Sequence, residues 1–279
     1  MTAPLGGPGV LYVVSTPIGN LADMTLRGIE TLRTVSVVLA EDTRHSRKLL
    51  DHFQVATPLV AHHEHNEAKT TPAFVARMER GESMALITDA GTPLLSDPGA
   101  RLVAAAIEAG VRVVPIPGAS ALLAALVAAG LPADRFTFFG FLDRKGKERQ
   151  RAILTIRGLG HTAVLYESPN RLADTLAELR DGGLGPRRAA VARELTKQFE
   201  EVRRGTVEEL ARYYADAPPR GEIVIVVEGV PDVMPTEEVL RDRARALRAG
   251  GASARDVVGA LIDEFGAPRN VAYRLAHEA

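Results

Sequence analysis

Residues 84–99 read Met84-Ala85-Leu86-Ile87-Thr88-Asp89-Ala90-Gly91-Thr92-Pro93-Leu94-Leu95-Ser96-Asp97-Pro98-Gly99. An apolar run ends at Thr88, and a loop built from Asp, Gly, Pro and Ser follows it. From Gly99 to Ala109 the apolar residues recur at helical spacing. This strand, loop and helix unit sets the pattern for its surroundings. Strands are expected over 10–16, 35–40, 58–62, 84–88 and 111–116, with helices over 25–34, 43–53, 68–80, 99–109 and 120–129. Strands that are almost continuously apolar and alternate with helices point to a largely parallel sheet covered on both faces.

Composition narrows the classes further. The chain has 279 residues, 46% hydrophobic and 25% charged, which is ordinary for a globular protein and excludes wholesale disorder. At about 150 residues per domain, the length favours two domains. A net charge of −1 excludes a globally basic nucleic-acid coat but leaves local basic patches open. With no cysteine there is no disulfide, thiolate metal site or cysteine nucleophile. The uncharged run 119–131 falls short of the roughly 20 apolar residues of a bilayer span, so it reads as a buried helix. No signal-peptide pattern opens the chain, and a cytoplasmic protein without membrane contact is expected.

The pattern breaks near residues 131–160. An aromatic stretch at 136–141 precedes Asp143-Arg144-Lys145-Gly146-Lys147-Glu148-Arg149-Gln150-Arg151, locally basic in a nearly neutral chain. Beyond it, strands over 162–166, 189–193, 200–204 and 222–227, with helices over 170–179 and 207–214, suggest a second α/β domain with a more mixed sheet. Thr236 before Glu237 and Glu238, and Ser253 three residues before Asp256, are helix starts, so the tail reads as three short helices. The expected division is 1–134, 135–232 and a helical segment 233–279.

Ligands of open parallel sheets collect beyond the carboxyl ends of the strands. Three such ends carry small turn-forming residues: Thr16-Pro17-Ile18-Gly19-Asn20, the loop 89–99, and Pro117-Gly118-Ala119-Ser120-Ala121. Glycine and alanine let a ligand lie directly against main chain, although tight turns alone would also use them. Neither a Gly-x-Gly-x-x-Gly nor a Gly-x-x-x-x-Gly-Lys-Ser/Thr fingerprint is present, which argues against the usual dinucleotide and P-loop sites.

Taken in order, these loops resemble a known family. With them come Glu41-Asp42-Thr43-Arg44, His65-Asn66-Glu67, Tyr166-Glu167-Ser168-Pro169-Asn170-Arg171, Arg193-Glu194-Leu195-Thr196-Lys197 and Gly221-Glu222. Each motif alone is weak, but the ordered set is similar to the bacterial ribosomal RNA small subunit methyltransferase I family, a branch of the tetrapyrrole-methylase-like superfamily. The likeness spans about residues 10–230. It implies two unlike α/β domains with a cofactor cleft between them and a small C-terminal helical segment. It further implies S-adenosylmethionine as cofactor, and 2′-O-methylation of a cytidine ribose in 16S rRNA of the small ribosomal subunit. A homodimer and the absence of a metal are implied as well.

Carried over position by position, the resemblance assigns cofactor contacts to Pro17, Thr88, Asp89, Gly91, Ser120, Ala121, Tyr166, Glu167 and Ala192. Two departures from the wider superfamily, in the first loop and in Asp89-Ala90-Gly91-Thr92-Pro93, weaken a tetrapyrrole substrate and favour RNA. A tetrapyrrole methyltransferase remains the first alternative, and a non-enzymatic nucleotide- or RNA-binding module the second.

Methyl transfer to a ribose hydroxyl needs alignment, desolvation and a nearby base or cation. Polar residues that packing does not explain supply the candidates: Glu41, Arg44, Asn66 and Lys197, with Asp42, Glu64, Glu67 and Glu194 around them. Asp42 also fits a helix N-terminus, and Lys197 fits a surface ion pair. In His62-His63-Glu64-His65 an extended chain would send alternate side chains to opposite faces, so a metal is not expected. Basic segments at 144–151, Arg187-Arg188 and Arg203-Arg204, with Arg269 and Arg274 in the tail, are candidates for rRNA phosphates or for solvated faces.

Overall fold

The computed structural model describes residues 8–217, 219–230 and 236–279. Residues 1–7, and the boundary expected at 232/233, lie outside the described residues.

Strands β1 (Val10–Val14), β2 (Val37–Ala40), β3 (Leu59–Ala61), β4 (Met84–Ile87) and β5 (Arg112–Ile116) form a sheet in the order β3-β2-β4-β1-β5. Every pairing in it is parallel. All residues of β2 and β4 are buried, as the unbroken apolar runs require of strands covered on both faces. Alternate residues divide between two cores. Leu11, Val37, Leu39, Met84 and Leu86 meet α3 (Glu64–Glu79) and α4 (Ala100–Glu108). Val38, Ala40, Ala85 and Ile87 meet α1 (Leu26–Thr34) and α2 (Thr43–His52).

Strands β6 (Phe136–Phe141), β7 (Thr162–Glu167), β8 (Arg188–Arg193), β9 (Glu201–Thr206) and β10 (Ile223–Val227) form a second sheet in the order β6-β7-β10-β8-β9. Only β6 and β7 run parallel, so the sheet is mixed, as expected. One face packs on α6 (Lys147–Gly158), α7 (Leu172–Leu179) and α8 (Val207–Asp216).

The other face of the second sheet is covered by α5 (Ala121–Ala129), the helix that follows the last strand of the first sheet. Leu122, Ala125, Leu126 and Ala129 lie against Val164, Ala190, Ala192, Val224 and Val226. The uncharged, alanine-rich sequence therefore makes a helix whose small side chains let it approach the strands closely. It ties the two sheets into one body.

Three parts of the chain depart from expectation. The aromatic stretch is strand β6 itself. The basic stretch continues into helix α6, in which Arg149 is buried. Helix α3 begins at Glu64, four residues before the expected start, because the Asn66 side chain accepts a hydrogen bond from His63 N at 2.9 Å and closes the first turn. The histidine run thus begins in the connection after β3, enters helix α3 at Glu64, and is not extended throughout.

The tail forms α9 (Glu237–Ala249), α10 (Ala254–Phe265) and α11 (Arg269–Glu278) around Leu240, Ala244, Val257, Leu261 and Leu275. Ser253 and Asp256 form the expected capping box. Arg274 joins α11 to α9 through Glu237 at 2.8 Å.

Candidate active site

The three small-residue loops meet. Thr16 and Gly91 exchange backbone hydrogen bonds of 2.8 and 3.1 Å, and the Thr16 hydroxyl donates to Thr88 O at 3.0 Å. The Thr92 hydroxyl donates to Ala119 O at 3.2 Å, and its oxygen is 3.0 Å from Ser15 Oγ. The loops after β1, β4 and β5 are thereby sewn into one floor by main chain and short hydroxyls. At Gly91 (φ 86°) a Cβ would come within 3.3 Å of Ile18, so both conformation and space favour glycine.

Above this floor opens a cleft of about 330 Å³. The first-sheet side contributes Ala90, Gly91, Thr92, Leu95, Ser96, Asp97 and Ala121. The second-sheet side contributes Phe141, Tyr166–Pro169, Leu195 and the start of β10 from Gly221 to Val224. Tyr166 packs edge-on against Phe138 at 4.8 Å and faces Phe141 at 5.6 Å, giving an aromatic wall.

Backbone strain gathers at the rim. Among the described residues, five non-glycine residues have positive φ, and four of them are Leu94, Ser96, Glu194 and Thr196 in the two loops bordering the cleft. Such conformations persist where the surroundings over-determine them, and they are characteristic of ligand-binding loops.

Not all of the expected cofactor residues share this cleft. Gly91, Ala121, Tyr166 and Glu167 line it. Pro17, Thr88 and Asp89 line a neighbouring hollow of about 250 Å³. Thr16 borders that hollow and Gly91 the main cleft, so their bonded pair divides the two. Ser120 caps α5 by accepting from Leu123 N. Ala192 is 1% exposed beneath α5 and outside the cleft lining, because its place on β8 turns it into the core.

Glu167 reaches the cleft as wall and not as a free acid. Its carboxylate accepts from Ser168 N at 2.8 Å and from the Thr175 hydroxyl at 2.6 Å, and lies 3.3 Å from Arg171 Nε. Thr175 in turn accepts from Arg149 at 2.8 Å, and Arg149 pairs with Glu178 at 2.6 Å.

The four catalytic candidates fall at separate places. Asn66 spends its amide on the start of α3, accepting from His63 N and donating to Ala61 O at 3.0 Å. The Arg44 side chain is 93% exposed and, among the described residues, reaches only Asp42, at 3.7 Å. Asp42 caps α2, and bonding to the Arg44 and His45 backbone amides holds its carboxyl below the usual range. Lys197 lies between Glu194 at 2.9 Å and Glu222 at 3.1 Å. Burial opposes its charge, but the two carboxylates prevail and hold the ammonium above its ordinary pKa, so it is a pinned cation at the cleft rim.

Glu41, at the end of β2, is pushed upward by burial and then by the Asp89 carboxylate. Glu41 and Asp89 both act on Asp97, a residue that sequence reasoning left unassigned. Asp97 lines the cleft, makes no ion pair among the described residues, and is raised to about 6 by burial, with Glu41 and Asp89 adding to the effect. The signal was present in the strained, unusually long loop that contains it, but nothing in a sequence distinguishes Asp97 from a turn-forming aspartate.

Several basic candidates are bound internally. Arg149 is held as described, Arg187 donates to the carbonyls of Ile156 and Arg157, and Arg188 pairs with Glu228. Arg203 pairs with Glu201 and Arg204 donates to Ala128 O. These guanidinium groups are engaged within the chain itself. Arg144, Lys145 and Lys147 are exposed, with no ion pair among the described residues.

Residues 10–211 match the sequence profile of a family described as Tetrapyrrole (Corrin/Porphyrin) Methylases. A Synechocystis protein named Ribosomal RNA small subunit methyltransferase I is 46% identical over 273 residues, covering 97% of this chain and 98% of its own length. A Mesorhizobium japonicum protein of the same name is 52% identical over 218 residues, covering 78% and 74%. The chain belongs to the ribosomal RNA small subunit methyltransferase I family. Methyltransferase I proteins are thus a branch of the tetrapyrrole methylase fold, and solved structures agree. The uroporphyrin-III C-methyltransferase from Thermus thermophilus, complexed with S-adenosylhomocysteine, superposes with a TM-score of 0.56. That likeness, at 19% identity over 79% of this chain and 97% of that one, is one of fold. Among the described residues no group of three or more His, Asp or Glu is placed to hold a metal, and no helix is long and apolar enough to cross a membrane.

Proposed function

We propose that the protein is an S-adenosylmethionine-dependent enzyme that methylates the ribose 2′-hydroxyl of a cytidine in 16S rRNA. One observation carries the reading: three parallel-strand loops are stitched into a main-chain floor beneath a single cleft with an aromatic wall. Its supports are the full-length likeness to methyltransferases of small-subunit RNA and the S-adenosylhomocysteine held by a protein of the same fold.

The residues present suit that cofactor. Ala90, Gly91 and Ala121 leave backbone exposed to a ligand, and Tyr166 and Phe141 offer a surface for a purine. When bound, the cofactor supplies an electrophilic methyl group. The protein must then desolvate the nucleophile, align it and take its proton.

Asp97 is the best-placed acceptor of that proton. Of the three acids lining the cleft, Glu167 is bonded within the wall and Glu222 is paired with Lys197, so Asp97 alone lacks an ion-pair partner among the described residues. A carboxyl near 6 is ionised at neutral pH yet more basic than an ordinary aspartate, which is what general-base catalysis favours. Exposed Arg144, Lys145 and Lys147 then follow RNA phosphates. The reading implies a cytoplasmic enzyme, since its substrate is ribosomal. A homodimer fits the apolar outer face of α5, where Leu123 and Val127 are exposed.

Purified protein with labelled S-adenosylmethionine and small subunits from cells lacking it provides the test. One 2′-O-methylated cytidine is expected on mapping. Label on a base or only on a tetrapyrrole would overturn the substrate, and cofactor binding without S-adenosylhomocysteine formation would overturn the enzyme.

A further inference from the structure

A second hollow, of about 390 Å³, adjoins the cleft. Arg193, Glu194, Phe199, Tyr213, Tyr214 and Arg220 are among its lining residues. The two spaces share a wall. Arg193 on β8 stands opposite Ile223 on β10, which lines the cleft. Glu194 accepts from Lys197 Nζ and, at 3.2 Å, from the backbone N–H of Glu222 on the cleft rim. Gly221 is locked there, with φ at 89° and no room for a Cβ against the Glu194 carboxylate.

What lines this hollow is not explained by folding. Phe199 is 66% exposed and Tyr213 is 41% exposed, so two aromatic rings bordering the hollow are open to solvent. Neighbouring guanidinium groups are fixed in place. Glu201 holds Arg193 at 2.7 Å and Arg203 at 2.8 Å, and Arg203 lies 3.7 Å over the Tyr213 ring. Tyr214 beside it is buried, so its ring forms the base of the hollow. Arg220 is exposed at the mouth and has no carboxylate within ion-pair distance among the described residues.

Exposed rings and an unpaired cation together suit a flat, anionic ligand. Single-stranded nucleic acid has this chemistry: bases stack on aromatic side chains while Arg meets the backbone. We infer that this hollow is a nucleobase subsite, holding an unpaired nucleotide that flanks the target ribose, with its base against Phe199 and its phosphate near Arg220. The inference rests on the RNA-methylating reading and deepens it. Phe199 and Arg220 are positioning residues and do not touch the reacting atoms.

The test uses the full-length protein and small ribosomal subunits reconstituted with 4-thiouridine in their RNA. After irradiation, adducts are expected on the peptides carrying Phe199 or Tyr213. With unmodified subunits, Phe199→Ala should raise KM about tenfold, leaving kcat and cofactor affinity unchanged, and Phe199→Trp should restore KM. An unchanged KM in Phe199→Ala, or adducts confined to other surfaces, overturns the subsite. Crosslinking of the hollow to a ribosomal protein overturns it in favour of a protein-docking role. If the wild type methylates no subunit RNA, the enzyme reading falls, while the adduct map still decides whether RNA occupies the hollow.

Discussion

The two sheets face the cleft with different materials. The first offers backbone and very small side chains, held by Thr16–Gly91 and Thr92–Ala119 hydrogen bonds. The second offers large side chains locked by charge, with Glu167 held by Thr175 and Arg171, and Lys197 held by two glutamates. A main-chain surface fails when volume is added to it. A side-chain surface fails when a partner is removed. Asp97 stands between these cases, as the one acidic side chain on the main-chain side of the cleft.

The largest effect is expected there. Asp97→Asn should lower kcat by about 10²–10⁴-fold while leaving cofactor affinity nearly intact. In the wild type, kcat/KM should fall as pH drops through about 6. Stability carries the opposite sign. Because the folded carboxyl is raised from 3.8 to about 6, its ionisation opposes folding, absent below 3.8 and complete once pH exceeds about 6. Asp97→Asn should therefore be more stable than wild type at pH 8, on the order of 1 kcal/mol given the group's partial exposure, and not at pH 3. Urea titrations at both pH values check this, and equal stability differences would remove Asp97 from its buried setting.

Next comes added volume. Gly91→Val combines a positive φ with a Cβ close to Ile18, and should weaken cofactor binding on the order of a hundredfold in calorimetry. Native affinity in a folded variant would show that the floor is not a ligand surface.

A removed partner should cost stability first. Arg149→Met strands Thr175 and loosens the Glu167 wall, and is expected to destabilise by about 2 kcal/mol, below the usual figure for a buried pair because Glu178 is half-exposed. Thermal unfolding measures it, and a neutral result would mean that the wall holds without its second layer. The smallest effect should follow Lys197→Met. With its charge already balanced by Glu194 and Glu222, kcat should fall no more than about threefold. A loss beyond a hundredfold would make Lys197 a participant at the reacting hydroxyl.

Much of the first sheet was legible because each strand is buried on both faces and its sequence says so without context. The three loops were legible for a similar reason, since glycine and proline declare backbone geometry locally. Side-chain roles were not. Arg149 reads as one more charge in a basic run, and only the packing of α6 on α7 shows it buried against Glu178 and Thr175. Asn66 carries the residue type of a catalytic amide, yet the turn at His63 consumes it. Asp97 depends on Glu41 and Asp89, each delivered by a different strand, so its basicity exists only in three dimensions.

Helix α5 bears on how substrate enters. It leaves the first sheet directly from β5 and is sealed by apolar contact onto β7, β8 and β10. Swinging the two halves apart would tear that seal, so the enzyme does not gape like a jaw. The opening between the stitched bends 89–99 and 194–200 therefore keeps its width, and whatever enters must fit it without the layers beneath moving apart.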